Sequence, residues 1–412
     1  MRSRLRARWV FPVVGPPIEN GVVTIRGERI ESVGHATATV ADAIDLGNAA
    51  ILPGLVNAHT HLEFSSLAEP LGDPAMPMAD WIRRLVAYRR SRTDAERNQA
   101  IITGLAECRR SGTTSIGEIA TGALSAIAEL PGAECPANLS VFLELLGLAP
   151  GRIDANLQAA AVHLGQQPTS SVRLGLSPHA PYTVHPELLR RAVALSQSQH
   201  VPLAMHVAES CEEIELLATG SGPLRAMLEE FGAWSADAIP VESRPLDYLQ
   251  RLAEADRALL IHGNYLDAEE IDFIAARRRR MSIVYCPRTH HRFGHDAYPL
   301  AKMLAADALV ALGTDSRASN PDLDLLAEMR HVAEHHAVAP SRIVEMGTIN
   351  GAMALGVADE VGSLEPGKFA DLAIVRLPDA ARNDPYESLF DLRSTVVSTY
   401  HRGQPLGERT RY

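Results

Sequence analysis

Eight short apolar runs, separated by stretches with helical spacing, constrain this chain more than any other feature. They read ILPGLVNAH, TTSIGEI, SVFLELLGL, VRLGLSP, PLAMHVA, ALLIHGN, MSIVYCP and LVALGTD. A strand that is apolar on both faces is covered on both faces, and strands alternating with helices build parallel βαβ units. Eight such units predict an α/β fold, a (β/α)8 TIM-type barrel. The fillers DAERNQAIITGLAECRRSG, PELLRRAVALSQSQH and DLDLLAEMRHVAEHH carry apolar residues at helical spacing, with Gly or Pro near an end, and are read as the helices that coat it. At 412 residues the chain exceeds the usual single core, yet barrels with insertions reach this size.

The two ends have a different texture. Residues 20–56 alternate apolar and polar positions between Gly and Asn breaks, and GSLEPGKFADLAIVRL and STVVSTYHRGQPL do the same near the other end. This predicts a small composite β-sandwich formed by both chain ends, residues 1–51 and 358–412, beside a barrel of residues 52–357. The Gly-, Pro- and Ser-rich stretch within 219–246 is too long for an ordinary connection and is expected to be a lid or binding loop.

Composition excludes several classes of partner. The net charge is −11 and basic residues are scattered, with Arg277 to Arg280 read as a solvated helix end, so no nucleic-acid partner is expected. No apolar run is long enough to cross a membrane. The N-terminal MRSRLRARWVFPVVGPPI is broken by prolines and lacks a small-residue cleavage site, so it is read as a strand rather than a signal peptide. Cys108, Cys135, Cys211 and Cys286 form no C-x-x-C pair, which argues against a disulfide framework or zinc ribbon and for a reducing cytoplasm.

Chemistry-bearing residues fall where a barrel needs them, at the C-terminal ends of strands. The first strand ends in His59-Thr60-His61, the fourth in His179, the fifth in His206 with Glu209 close behind, the sixth in His262 and the eighth in Asp315. His-x-His on extended chain turns both imidazoles to one side, because side chains alternate with period two. His206 adds a third nitrogen and Asp315 an oxygen, a donor set that suits one divalent metal, zinc or iron, with room left for water. Glu209 is placed to accept and redeliver a proton. His262 fits a ligand, a base or an oxyanion stabiliser equally well. Cys286 is read as a small buried residue, and Cys286-Pro287 has the wrong order for the P-C-x-x-C pair of the zinc nucleobase deaminases.

The segments PGLVNAHTH, MHVAE, LIHGN, LGTDS and GSLEPGKFADLAI resemble the amidohydrolase superfamily, in its branch of cytosine deaminases, adenosine-type deaminases and chlorohydrolases. The resemblance runs in order along nearly the whole chain. It implies a single-metal hydrolase that attacks an amino-bearing ring carbon with water, an aminohydrolase of cyclic amidines. On this sequence it makes His59, His61, His206 and Asp315 the metal ligands, Glu209 the proton shuttle, and His262 with Asp315 the groups that activate water. Members with two metals bridge them through a lysine on the fourth strand; this chain has His179 there, and its two lysines, Lys302 and Lys368, lie elsewhere.

Within that branch, HTHLEFS, RLGLSPHAPYTVHPELL, MHVAESCEEIELLATGSGPL and CPRTHHRFG are most similar to deaminases of 5′-modified adenosine nucleosides, above all those of 6-aminodeoxyfutalosine in menaquinone biosynthesis. Thr289-His290 departs from the Ser-Asn usual in that subgroup. Trp81, His179 and Arg288 are the candidate substrate contacts, and His290, His291 and His295 are read as solvated loop histidines. The alternatives are S-adenosylhomocysteine or methylthioadenosine deamination, a chlorohydrolase or a guanine or cytosine deaminase on the same scaffold, and a non-catalytic scaffold. The expected partner is a small-molecule nucleoside. A homodimer is compatible with the resemblance, though no sequence feature encodes one.

Overall fold

The computed structural model describes residues 2–35, 42–122, 137–166, 170–379 and 384–406. Strands β1 (Arg2–Val10), β2 (Ile18–Arg26) and β3 (Arg29–His35) pair antiparallel, and β4 (Ile44–Asp45) and β5 (Ala49–Pro53) lie parallel to β1. In β1 the alternation expected of a half-buried strand is met: Leu5 and Ala7 are buried and Arg6 is exposed.

The run ILPGLVNAH, expected as one strand, is two. The chain leaves the first sheet at Gly54 and begins the barrel at once with β6 (Leu55–Thr60). A Cβ on Gly54 would sit 2.0 Å from Thr114 Oγ1, so only glycine lets the backbone pass there.

The barrel continues through β7 (Thr113–Ala120), β8 (Asn138–Leu145), β9 (Val172–Pro178), β10 (Pro202–Val207), β11 (Arg257–His262), β12 (Met281–Tyr285) and β13 (Val310–Leu312), all parallel and neighbouring in chain order. The helices Asp94–Arg110, Pro186–Gln199 and Leu325–His335 correspond to the three fillers read from the sequence. The last starts after Asp324, whose carboxylate accepts the amides of Leu326 (2.9 Å) and Ala327 (3.2 Å) as an N-cap.

Because β13 is only three residues long, the barrel closes by other means. The amides of Thr314 and Asp315 both donate to the His59 carbonyl at 3.1 Å. The Asn57 side chain clasps Thr314, accepting from its amide (3.1 Å) and donating to its Oγ1 (2.8 Å). Gly313 permits the approach, since a Cβ there would lie 2.9 Å from both the Cβ and the carbonyl oxygen of His59.

Beyond the barrel, β14 (Leu372–Arg376) inserts beside β5, with Leu372 opposite Pro53, and β15 (Thr395–His401) and β16 (Gln404–Leu406) extend the same sheet. Both chain ends therefore share one eight-stranded, mostly antiparallel sheet. Its core joins Leu5, Val23 and Ile51 to Leu372 and Ile374. Asp371 rivets it to the barrel, accepting from the Asn138 side chain (2.8 Å) and the Arg402 amide (2.6 Å). The segment expected as a lid contains a helix, Pro223–Glu230. Among the described residues no helix is long and apolar enough to cross a membrane, and Cys135 lies outside them.

Candidate metal centre and active site

Strand ends deliver the donor atoms. His59 lies in β6 and His61 just beyond it, with ring centroids 4.9 Å apart. His206, in β10, brings its Nε2 to 3.4 Å from His61 Nε2. One ligating nitrogen from each of the three histidines falls within 4.8 Å of the others. Asp315 Oδ1 completes the group, 3.7 Å from His59 Nε2 and 3.9 Å from His61 Nε2.

The donor set fits a divalent metal on two counts. His59 is fully buried, yet neither of its ring nitrogens has a hydrogen-bond partner among the described residues, an arrangement that is costly unless something binds there. The Nδ1 of His206 lies 3.0 Å from the His179 carbonyl oxygen and so carries the proton, which leaves Nε2 as a lone pair facing the cluster. Burial lowers the pKa of all three rings, that of His206 to about 4 and those of His59 and His61 well below the usual histidine range, so each is in its neutral, ligating form at neutral pH. Asp315 is held by the Ser316 amide (2.7 Å) and the Ser319 hydroxyl (2.8 Å).

Three strand-end residues that are not glycine, Ala208, His262 and Asp315, adopt positive φ of 54°, 68° and 56°. Such conformations cost of order 1 kcal/mol or more each and re-aim the chain where strand gives way to loop. All three sit at the site.

Glu209 and His262 face each other beside the histidine cluster, with Oε1 and Nε2 3.3 Å apart. Glu213 holds the backbone at Glu209, its carboxylate accepting the amides of Ala208 (2.8 Å) and Glu209 (2.9 Å). The Asn264 amide group donates to the Glu209 carbonyl (2.8 Å) and the Tyr298 hydroxyl to the His262 carbonyl (2.9 Å). Burial, reinforced by Asp315 and Glu213, raises the Glu209 pKa well above that of an ordinary glutamate. Burial also lifts Glu213 to about 7 and lowers His262.

A cavity of about 590 Å³ opens above these groups, large enough for a nucleoside-sized ligand. His61, His206, Glu209, His262 and Asp315 line it at one end, and Met78, Trp81, Met227, Leu228 and Phe231 supply apolar wall. The helix in the segment expected as a lid thus contributes Met227 and Leu228.

Of the substrate contacts expected from sequence, Trp81 and His179 line this cavity and Arg288 does not. The Trp81 indole donates to the Ala318 carbonyl (3.2 Å) and packs edge-on against Phe293. His179 Nδ1 lies 2.7 Å from the Thr183 hydroxyl. Arg288 must be corrected to a structural role, because its guanidinium is taken up by Glu328 and Asp322, each at 2.6 Å. His290 is likewise buried rather than solvated, its Nε2 2.9 Å from the Asp296 carbonyl oxygen. His295 turns its Nδ1 to the Tyr265 hydroxyl, 3.2 Å away, while His291 is exposed.

Sequence reasoning missed Glu63, Glu144, Arg89 and Arg152, which also line the cavity. Arg89 Nε lies 3.4 Å from Glu63, and its Nη1 lies 4.0 Å from Glu144. The only available signal was a lone charge inside an apolar run, as Glu144 is in SVFLELLGL.

Imidazoles and a carboxylate gathered at the C-terminal mouth of a parallel barrel, with a second carboxylate and imidazole facing each other beside them, are the arrangement of a metal-dependent hydrolase. The chain belongs to the amidohydrolase family: residues 50–406 match the model described as "Amidohydrolase family". It is 31% identical over 389 residues to a 5-methylthioadenosine/S-adenosylhomocysteine deaminase of Moorella thermoacetica, a match covering 89% of this chain and 83% of the relative. Two solved structures share the fold. Aminofutalosine deaminase of Helicobacter pylori, in complex with methylthio-coformycin, superposes with a TM-score of 0.86 at 22% identity, over 98% of this chain and all of the other. An adenosine deaminase from Xanthomonas campestris with bound zinc gives 0.81 at 24% identity, over 98% and 92% of the two chains.

Proposed function

We propose that this protein hydrolytically deaminates the adenine ring of a 5′-modified adenosine-type nucleoside, with 6-aminodeoxyfutalosine of menaquinone biosynthesis as the substrate. The observation that carries the reaction is the Glu209–His262 pair beside the histidine cluster at the inner end of the cavity. In this reading His59, His61, His206 and Asp315 hold one divalent ion, zinc or iron. Such an ion supplies the Lewis acidity that makes water a nucleophile near neutral pH.

The protein groups then manage protons. His262 fixes the attacking oxygen, and Asp315 accepts a proton from the water. Glu209, its carboxyl kept protonated towards neutrality by burial, donates to the ring nitrogen beside carbon six. A carbon–oxygen bond forms, the carbon–nitrogen bond breaks, and the proton returned through Glu209 and Asp315 lets the amino group leave as ammonia. The product is an inosine-type nucleoside. Trp81, Met227 and Phe231 enclose the apolar part of the substrate, and His179 contacts it from the polar side.

The exposed arginines Arg90 and Arg152 at the same cavity favour a tail that ends in a carboxylate. The second reading, deamination of S-adenosylhomocysteine or methylthioadenosine, is favoured by the relative from Moorella. Ammonia release by metal-replete enzyme from aminodeoxyfutalosine, S-adenosylhomocysteine, methylthioadenosine and adenosine separates the two. The proposal expects the highest kcat/KM on aminodeoxyfutalosine; a preference for methylthioadenosine would replace it with the second reading. Turnover of free bases or chlorotriazines alone would remove both.

A further inference from the structure

A second group of histidines lies away from the barrel mouth. The helix Leu325–His335 presents His331 and His335 one turn apart, and the helix Pro287–Phe293 brings His291 against them. The His331 and His335 rings stack with centroids 4.0 Å apart, and those of His291 lie 5.1 Å and 5.6 Å away. One ring nitrogen from each of the three falls within 4.8 Å of the others. None of these residues lines the cavity.

The chemistry of the group suits a cation. Residues four apart on a helix share a face, the spacing by which helices offer two imidazoles to one ion. His335 Nδ1 lies 3.0 Å from the His331 carbonyl oxygen, which fixes the proton there and leaves Nε2 as the ligating lone pair. His291 and His335 are exposed and His331 is half-buried, so an ion reaches them from solvent without opening the fold. The nearby cation Arg288 is offset by Asp322 and Glu328.

We propose that His291, His331 and His335 bind a late first-row divalent transition-metal ion at a second, outer site. Three imidazole nitrogens leave a position for water or a further ligand and suit zinc, nickel or copper rather than magnesium or calcium. The ion would clasp the two helices that follow β12 and β13. The second of these helices also carries Glu328, which accepts from Asn320 (2.6 Å); Asn320 in turn donates to the Thr314 carbonyl (2.7 Å), one residue before Asp315. The outer ion therefore braces the loop that presents Asp315, and is separate from the ion that Asp315 holds.

The test is a zinc titration of enzyme already replete in its barrel metal, read by elemental analysis after gel filtration and by the unfolding midpoint. Wild-type protein is expected to retain a second equivalent and to unfold at higher temperature with zinc. The double variant His331→Gln/His335→Gln should retain only the first equivalent and lose the zinc-dependent shift. His291→Asn, on the other helix, should weaken uptake of the second equivalent on the order of tenfold or more. Absence of a second equivalent in wild type, or equal uptake by wild type and His291→Asn, overturns the outer site. Both readouts are independent of turnover, so the result does not depend on the substrate assigned to the barrel site.

Discussion

At the scale of single residues, Glu209 has the environment that says most about the chemistry. It faces His262, and its burial together with the nearby carboxylates of Asp315 and Glu213 favours a proton on its carboxyl. Glu209→Gln keeps the shape but can neither release nor recover that proton. It should lower kcat by about 10²- to 10⁴-fold while metal content by elemental analysis stays that of wild type; full activity would sink the shuttle role. His206→Ala, by contrast, removes a donor and should lose metal together with turnover. Glu209 was legible in the sequence because it stands three residues after a strand-end histidine, His206. Glu144 was not, since it stands inside an apolar run and meets Arg89 and His179 only after β8, β9 and the helix Met78–Arg90 have come together.

At the scale of elements, the weak point of the barrel is its eighth strand. β13 is too short to close the sheet by a regular ladder, so closure rests on Asn57, Thr314 and the amides of the turn that carries Asp315. The same turn thus seals the barrel and sets Asp315, a proposed metal ligand. Gly313→Ala forces a methyl group against the His59 backbone, a contact that cannot relax by side-chain rotation. It should destabilise the protein by about 1–3 kcal/mol, by analogy with overpacked cores, and also reduce metal content, because His59 and Asp315 are pushed apart. Thermal unfolding with elemental analysis checks this, and a variant with wild-type midpoint and metal content would show that the seam tolerates the methyl. Apolar runs and helical spacing made the elements legible, but the break at Gly54 was hidden because ILPGLVNAH reads as one strand whichever sheet each half joins.

At the scale of the whole molecule, two features link distant parts of the chain. Asp371 joins the two-ended sheet to the barrel, and burial raises its pKa to about 6 from an ordinary 3.8. Between those values the folded state holds a proton that the unfolded chain has lost, so this group makes stability fall as pH rises from about 4 to about 6, with no further change above. The difference in unfolding midpoint between wild type and Asp371→Asn should therefore shift against the wild type across that window; a difference independent of pH would show that the carboxyl is already ionised. The second feature is the cavity, assembled from strand ends, the helix Met78–Arg90 and the helix Pro223–Glu230. On the proposed substrate class, Arg152→Ala should raise KM for a carboxylated nucleoside on the order of tenfold, the loss of one charge-assisted contact, and leave KM for methylthioadenosine unchanged. Equal effects on both substrates would remove Arg152 from recognition of the tail.

The sequence by itself determined the barrel, the pairing of the two ends and the residues at the strand termini, because run length, period and the order of strands are local properties that survive into the fold. It could name His59, His61, His206, Glu209, His262 and Asp315 since a barrel sends the ends of all its strands to one face. Only the tertiary structure decided how that face is finished. It consumed Arg288 in an ion pair with Glu328 and Asp322 and buried His290. It brought Glu144 and Arg89 into the cavity, and gathered His291, His331 and His335 on the outside. The physical reason is that a side chain's partners across elements depend on register, closure and backbone twist, and the spacing of residues along a chain does not contain these.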